Sequence, residues 1–572
     1  MKILLVAMNA KYIHSNLALY SLYAYAGEYR KDVELAEYTI NNSREYILEN
    51  IYKRKPDVLC FSCYIWNIEY VKEISGEFHK LCPDIPIWVG GPEVSYEVEA
   101  FLSENPQITG VMIGEGERTF RELAAHYVDN SPEISDICGL AYQKERRVVF
   151  TGIREPMDMN EIPFCYEHME DFSNRIIYYE SSRGCPFNCS YCLSSIDKKL
   201  RFRNIDTVKR ELQFFLDKKV PQVKFVDRTF NCRHEHAMAI WEYIREHDNG
   251  VTNFHFEISA DLLNDAELEL ISGMRPGLIQ LEVGVQSTNE VTIREIHRTM
   301  KLEEVKRIVK KVQSYANIHE HLDLIAGLPY EDYASFRHSF DEIYALKPNQ
   351  LQLGFLKVLK GSFMYEHAGE YGILYHEHAP YEVMKTNWLS FDEVLEIKQV
   401  EEMLEVYYNS GQFEVSIKLL ENLFHSAFDM FRALGAWYEK NGLFAMSHSR
   451  LRRCEIILEY LRSEERFFHA IPIMEEALLF DLYYRENCKT RPSWAVDAGT
   501  FKKETRALCP NGKMQHVEPV HYIFPGKEVR NLNALPKREE KTLWVRFDYS
   551  RRDPLDHQAH VEYVELETEE RS

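Results

Sequence analysis

The sequence predicts two successive α/β units, each built on a parallel sheet, followed by a mainly α-helical C-terminal domain. Three observations predict it. Before residue 135, short apolar runs alternate with helix-like stretches; between 173 and 368 the alternation resumes; beyond 369, apolar residues fall mostly at helical spacing. Short buried strands separated by helices imply parallel pairing through right-handed crossovers. A chain of 572 residues exceeds one hydrophobic core, and at roughly 150 residues per domain it holds three or four units.

The first unit, residues 1–135, begins with the apolar run 2–8, followed by a helical stretch at 17–29. Runs at 33–38, 57–62, 85–90 and 110–114 repeat the pattern and make a flavodoxin-like (Rossmann-type) doubly wound sheet. Ligands of such sheets bind outside the carboxyl ends of the strands, so loops 9–16, 62–67, 90–96 and 114–120 share one rim. Its candidate binding residues are Asn9, Ser62, Tyr64, Trp66, Gly90, Gly91, Glu93, Gly114, Glu115 and Gly116. The glycines lack a Cβ and admit a bulky ligand close to the backbone, although a plain tight turn uses them equally well. Residues 136–172 read as a linker.

The second unit, residues 173–368, carries strand-like runs at 176–179, 222–227, 253–259, 279–285, 321–326 and 350–356, the pattern of a partial (β/α)6 TIM-type barrel. Its site belongs at the carboxyl ends of those strands, where Asp227, Glu257, Gln286, Arg298 and Asp323 fall. A charge inside a parallel strand is costly unless paired or functional, which singles out Glu257 and Asp323; mutual pairing across the rim is the plain alternative. Just after the first strand, Cys185, Cys189 and Cys192 lie on one tight loop. An iron–sulfur cluster normally takes four cysteines, so a compact set of three suggests a cluster with one iron open to a non-protein ligand. The alternative is a zinc site closed by Cys232 or His234.

The third unit, residues 369–572, shows helical spacing at Val400, Met403, Leu404 and Tyr407, again from Leu420 to Phe431, and again from Leu451 to Leu461. Alternating runs at 542–547 and 561–566 read as two strands. No metal or nucleophile constellation stands out here, and no catalytic acid or base is named anywhere. Hydrophobic residues at 45% and charged residues at 28% are ordinary for a globular protein. The net charge of −22 disfavours nucleic acid as a partner. No apolar run approaches the roughly 18 residues of a membrane span, the first residues are too short for a signal peptide, and the 12 cysteines are expected as reduced thiols; a cytoplasmic location without a membrane partner follows.

The spacing Cys185-x3-Cys189-x2-Cys192, with Tyr191 before the last cysteine, resembles the cluster loop of the radical S-adenosylmethionine (SAM) superfamily. With Gly90-Gly91-Pro92-Glu93 and Gly114-Glu115-Gly116-Glu117 upstream, the chain resembles cobalamin-binding radical SAM proteins over residues 1–368. The resemblance implies three cofactors: a 4Fe-4S cluster on the three cysteines, SAM on its open iron, and cobalamin on the four rim loops. Strand ends Val283–Ser287 with Arg298, and Asp323–Pro329, resemble the SAM-binding strands of the coproporphyrinogen dehydrogenase-like branch, which assigns Glu257, Gln286, Arg298 and Asp323 to SAM. Asp227 stands where other members carry a Gly-Gly-Glu-like loop for the SAM amino group. Around His14 the family's Asp-x-His-x-x-Gly motif is missing both its aspartate and its glycine, so no histidine is expected on cobalt, and Trp66 or Tyr64 is expected over the lower face. The implied activity is a radical SAM enzyme that transfers a methyl group to an unactivated carbon of a small molecule, with an electron donor such as flavodoxin or ferredoxin. Radical cyclisation or rearrangement, modification of transfer RNA or a peptide, and a metal-containing binding protein are the alternatives.

Overall fold

A computed structural model describes residues 1–167 and 174–565. Residues 168–173 of the expected linker, Leu566 of the expected last strand and the remainder of the C-terminus lie outside the described residues.

Strands β1 (Ile3–Asn9), β2 (Val33–Thr39), β3 (Val58–Ser62), β4 (Ile87–Gly90) and β5 (Gly110–Met112) pair in parallel in the order β2-β1-β3-β4-β5. Along β1, Leu4, Val6 and Met8 enter one hydrophobic cluster with Phe61 and Phe78, while Ile3, Leu5 and Ala7 enter another with Trp88 and Phe120. A strand covered on both faces must be apolar at every position, which is why this run is unbroken in the sequence. The expected linker needs correction. Within it, β6 (Leu140–Lys144) and β7 (Arg147–Phe150) form a hairpin that extends the same sheet, antiparallel to β5.

Six further strands, β8 (Ile176–Tyr179), β9 (Gln222–Phe225), β10 (Asn253–Ile258), β11 (Ile279–Gln286), β12 (His319–Ala326) and β13 (Gln350–Phe355), pair in parallel in chain order as an open barrel. Phe254 and Phe256 on one face of β10 pack with Trp241 of the preceding helix, His234–Glu246. Most of the alternate positions are polar: His255 and Glu257 on β10, Glu282 and Gln286 on β11, His321 and Asp323 on β12. Complete barrels fill their interior with branched apolar side chains; this one does not. The first rim loop docks on β8 through Ile176 N–H donating to the Ile13 carbonyl at 2.7 Å and Ser15 Oγ donating to the Ile176 carbonyl at 2.8 Å.

Beyond the barrel come helices Phe391–Leu404, Glu414–Glu421, Ala427–Lys440, Arg450–Arg462 and Ile471–Arg485. The single helix expected across Leu420 to Phe431 is two, because Ser426 accepts a hydrogen bond from Asp429 N–H and starts a new helix. Two tail strands, β15 (Leu543–Arg552) and β16 (Ala559–Val564), sit near the expected positions, joined by β14 (Gln515–Val520). The boundary at 368 is not a packing boundary: Val394, Ile397 and Met403 share one buried cluster with barrel residues such as Phe340 and Leu351. Among the described residues no helix is long and apolar enough to cross a membrane.

Candidate active site

The cysteine loop is held from below by a buried carboxylate. Asp227, 1% exposed, accepts from Ser181 N–H at 2.9 Å, Ser181 Oγ at 2.6 Å and Ser182 Oγ at 2.6 Å. Burial pushes its carboxyl up to about 6 in spite of those donors. Both oxygens are therefore spent on the chain itself, and Asp227 does not line the neighbouring cavity; the sequence reading of it as a SAM contact gives way to that of a strut beneath the loop. Above it, Cys185 N–H donates to the Asp197 carbonyl at 3.0 Å and Ser190 N–H to the Ile296 carbonyl at 2.9 Å. Cys185 and Cys189 are buried and Cys192 half-buried, all as free thiols.

The zinc alternative needs Cys232 or His234 as a fourth protein ligand. His234 is turned away, its Nδ1 3.0 Å from Glu267. The three-cysteine loop fits a cluster.

Next to it lies a cavity of about 140 Å³ walled by Arg228, Thr229, Glu257, Glu282, Gln286, Arg298 and Asp323 among others. Four of the five residues expected to hold SAM thus meet in one place. Gln286 Oε1, Arg298 Nε and Asp323 Oδ1 are buried there without hydrogen-bond partners. Unsatisfied polar atoms cost about 1–3 kcal/mol each, so a polar ligand is the natural complement. Gln286 has a φ of 75°, in the left-handed region, and the β11–β12 register shifts beside it. A non-glycine residue held there stores strain, a mark of sites under functional constraint. Arg298 Nη1 stands 3.7 Å from Cys189 Sγ and 3.5 Å from Tyr191 Oη, tying this cavity to the cluster loop.

A larger cavity of about 1310 Å³ opens beside it, lined by Tyr64, Trp66 and Glu93 of the sheet rim, Tyr191 and Cys192 of the cluster loop, Arg228, Gln286 and Asp323 of the barrel, and a C-terminal wall that includes Glu382, Lys398, Glu401 and Phe444. Tyr64 and Trp66 stack with centroids 4.4 Å apart and an interplanar angle of 6°, and Trp66 stays 40% exposed while its Nε1 donates to the Met8 carbonyl. They offer a flat apolar platform toward the cavity. His14 Nδ1 pairs with Tyr178 Oη at 2.7 Å.

The remaining rim candidates divide. Ser62 Oγ is buried without a partner, and a Cβ on Gly114 would meet open space. Asn9 is committed internally, donating to the His14 carbonyl and Glu37 and accepting from Asn16. Gly91, φ 119°, is glycine because a Cβ would collide with the Cys63 carbonyl, not because a ligand approaches it; the Cβ of Gly90 would touch Met112 and that of Gly116 would touch Leu22. Glu115 is an interdomain contact, 2.5 Å from Arg201 and accepting from Met157 N–H at 2.7 Å. Glu93 accepts from Tyr381 Oη of the segment after the barrel. Sequence reasoning missed Lys224, His255, Glu282 and His321, although polar residues at most alternate positions of β9 to β12 signal an inward polar face.

Three family models match the chain: a B12 binding domain over residues 3–124, the Radical SAM superfamily over 179–343, and a protein of unknown function (DUF4080) over 369–528. Among curated proteins it is similar to the cobalamin-dependent radical SAM methyltransferase TokK of Streptomyces tokunonensis, 26% identical over 314 residues that cover 50% of this chain and 44% of that protein. It is similar also to the anaerobic magnesium-protoporphyrin IX monomethyl ester cyclase of Rubrivivax gelatinosus, 24% identical over 328 residues covering 54% of this chain and 58% of that one. The chain spans about half the length of these curated relatives. Among solved structures, its fold is similar to that of the cobalamin-dependent S-adenosylmethionine radical enzyme OxsB, with a TM-score of 0.59 at 14% identity over 84% of this chain and 80% of that one.

Proposed function

For a chain that belongs to the cobalamin-binding radical SAM proteins, with cobalamin, SAM and a 4Fe-4S cluster as its cofactors, we propose methyl transfer to an unactivated carbon of a small molecule. One observation carries this reading: the aromatic platform of the sheet rim and the cysteine loop of the barrel line the same cavity. Bound there, SAM and the cluster supply a 5′-deoxyadenosyl radical, and cobalamin supplies a transferable methyl group.

The protein's own part is binding, orientation and exclusion of water. Cys185, Cys189 and Cys192 would hold the cluster, with Asp227 fixing the loop through Ser181 and Ser182. Arg298 offers its guanidinium to a carboxylate beside Cys189, while Gln286, Glu257 and Asp323 offer acceptors to ribose hydroxyls and an amino group. Tyr64 and Trp66 would cover one corrin face. The C-terminal wall closes the far side of the cavity and shapes the substrate space. Electrons would come from a low-potential donor such as flavodoxin or ferredoxin, in the cytoplasm, where the free thiols of the chain persist.

The similarity to a cyclase favours one second reading, radical cyclisation or rearrangement without methylation. Turnover of candidate metabolites with SAM carrying a labelled methyl group separates the two. Label in the product, together with 5′-deoxyadenosine and S-adenosylhomocysteine, supports methylation; 5′-deoxyadenosine with an unlabelled, rearranged product refutes it.

A further inference from the structure

The inner wall of the barrel gathers Glu282, His321 and His255, which the cofactors above do not use, around Asp323, whose carboxylate also faces the SAM cavity. Parallel register sets Glu282 of β11 directly opposite His321 of β12, with Asp323 two residues on and His255 on the neighbouring β10. His321 Nε2 lies 3.0 Å from Asp323 Oδ1, and His255 Nε2 lies 2.9 Å from Glu282 Oε2. These distances suit hydrogen bonds, yet His321 Nε2, His255 Nε2 and Asp323 Oδ1 are buried atoms without a hydrogen-bond partner, because the groups are not aligned as donor and acceptor. The two imidazoles are only 6% and 7% exposed, so water does not answer them.

Lone pairs that approach side by side without facing one another are arranged as neighbouring ligands of a common centre. With metal–ligand bonds of about 2.1 Å, two ligands at right angles stand about 3.0 Å apart. One atom each from Glu282, His321 and Asp323 falls within 4.8 Å of the others, as one coordination sphere requires.

We propose that the barrel wall binds one divalent transition-metal ion through Glu282, His321 and Asp323, at the base of the 140 Å³ cavity that Glu282 and Asp323 also line. Mixed imidazole and carboxylate donors suit zinc, manganese or ferrous iron rather than calcium or a thiophilic metal. The ion would fix β11 and β12 relative to one another beneath the cavity. The site does not depend on the methylation reading.

Manganese tests it in the full-length protein with its cluster oxidised, a state without an EPR signal of its own. Titration with Mn²⁺ should remove the six-line signal of the hydrated ion up to one equivalent per chain, and electron spin-echo modulation of the bound ion should show imidazole ¹⁴N coupling. His321→Asn and Glu282→Gln should each weaken binding at least tenfold. His321→Asn leaves the net charge of −22 untouched when histidine is neutral, so loose association with the acidic surface would survive it. No uptake at one equivalent, bound manganese without ¹⁴N coupling, or wild-type affinity in His321→Asn would each overturn the proposal. The nitrogen coupling is read on the unaltered protein and holds even if a variant fails to fold.

Discussion

Replacing Arg183 by Met tests whether charge holds the sheet rim to the cluster loop. The guanidinium reaches Glu117 at 2.5 Å, Glu180 at 2.9 Å and Glu115 at 3.5 Å, and the Arg183 and Glu117 side chains are 14% and 6% exposed. Burial alone would raise the Glu117 carboxyl, but the attraction of Arg183 and its hydrogen bond outweigh it and hold Glu117 below the ordinary 4.5. A carboxylate depressed in the folded state contributes stability that is present above its ordinary value and lost as pH falls below it. Methionine keeps an apolar stem but leaves Glu117 and Glu180 without their cation, which costs about 3–5 kcal/mol. That is roughly two to four powers of ten in the equilibrium between docked and undocked rim. Hydrogen–deuterium exchange should therefore speed up in both loop 114–120 and loop 182–192, and Glu117→Gln added to Arg183→Met should restore part of the protection. Unchanged exchange in Arg183→Met, or strict additivity in the double variant, would refute the reasoning.

Trp66→Ala should weaken cobalamin binding about tenfold by removing the stacked face, read by anaerobic titration with hydroxocobalamin, with SAM affinity unchanged. Arg298→Lys should raise the SAM dissociation constant about 10- to 100-fold, since lysine lacks the planar fork that pairs with a carboxylate; equilibrium dialysis of the reconstituted protein measures it. Burial, then repulsion from Glu405, Glu402 and Glu382, pushes the Glu401 carboxyl up to about 7. The folded state therefore holds an extra proton between its ordinary 4.5 and 7, and stability falls as pH rises across that window. Glu401→Gln should flatten the fall by roughly 1 kcal/mol after allowance for solvent screening, measured as the difference between the two proteins' thermal unfolding profiles from pH 5 to pH 8.

What the sequence disclosed follows from where each signal resides. Strands β1 to β5 are legible because burial on both faces forces apolar runs, and the cysteine loop because its chemistry is local. The β6–β7 hairpin was read as linker because its turn, Glu145-Arg146, adopts φ of 51° and 65° without the asparagine or glycine that usually marks such a turn. Glu115 looked like a ligand-facing loop residue because its partner Arg201 is 86 positions away. Glu257 and Asp323 stood out as charges within strands, whereas Glu282 and His321 passed as ordinary polar alternation. Leu395, Lys398, Glu401 and Glu402 line the large cavity from helix Phe391–Leu404. They lie on the side away from Val394, Ile397, Val400 and Met403, a pattern identical to a solvated helix face.

The central claim is that the cluster and cobalamin face one cavity. It is tested most directly by the EPR spectrum of cob(II)alamin in the reconstituted protein, recorded with the cluster oxidised and then reduced. The account predicts dipolar broadening and faster relaxation of the cobalt signal once the cluster becomes paramagnetic. A cobalt spectrum and relaxation rate indifferent to the state of the cluster would contradict it.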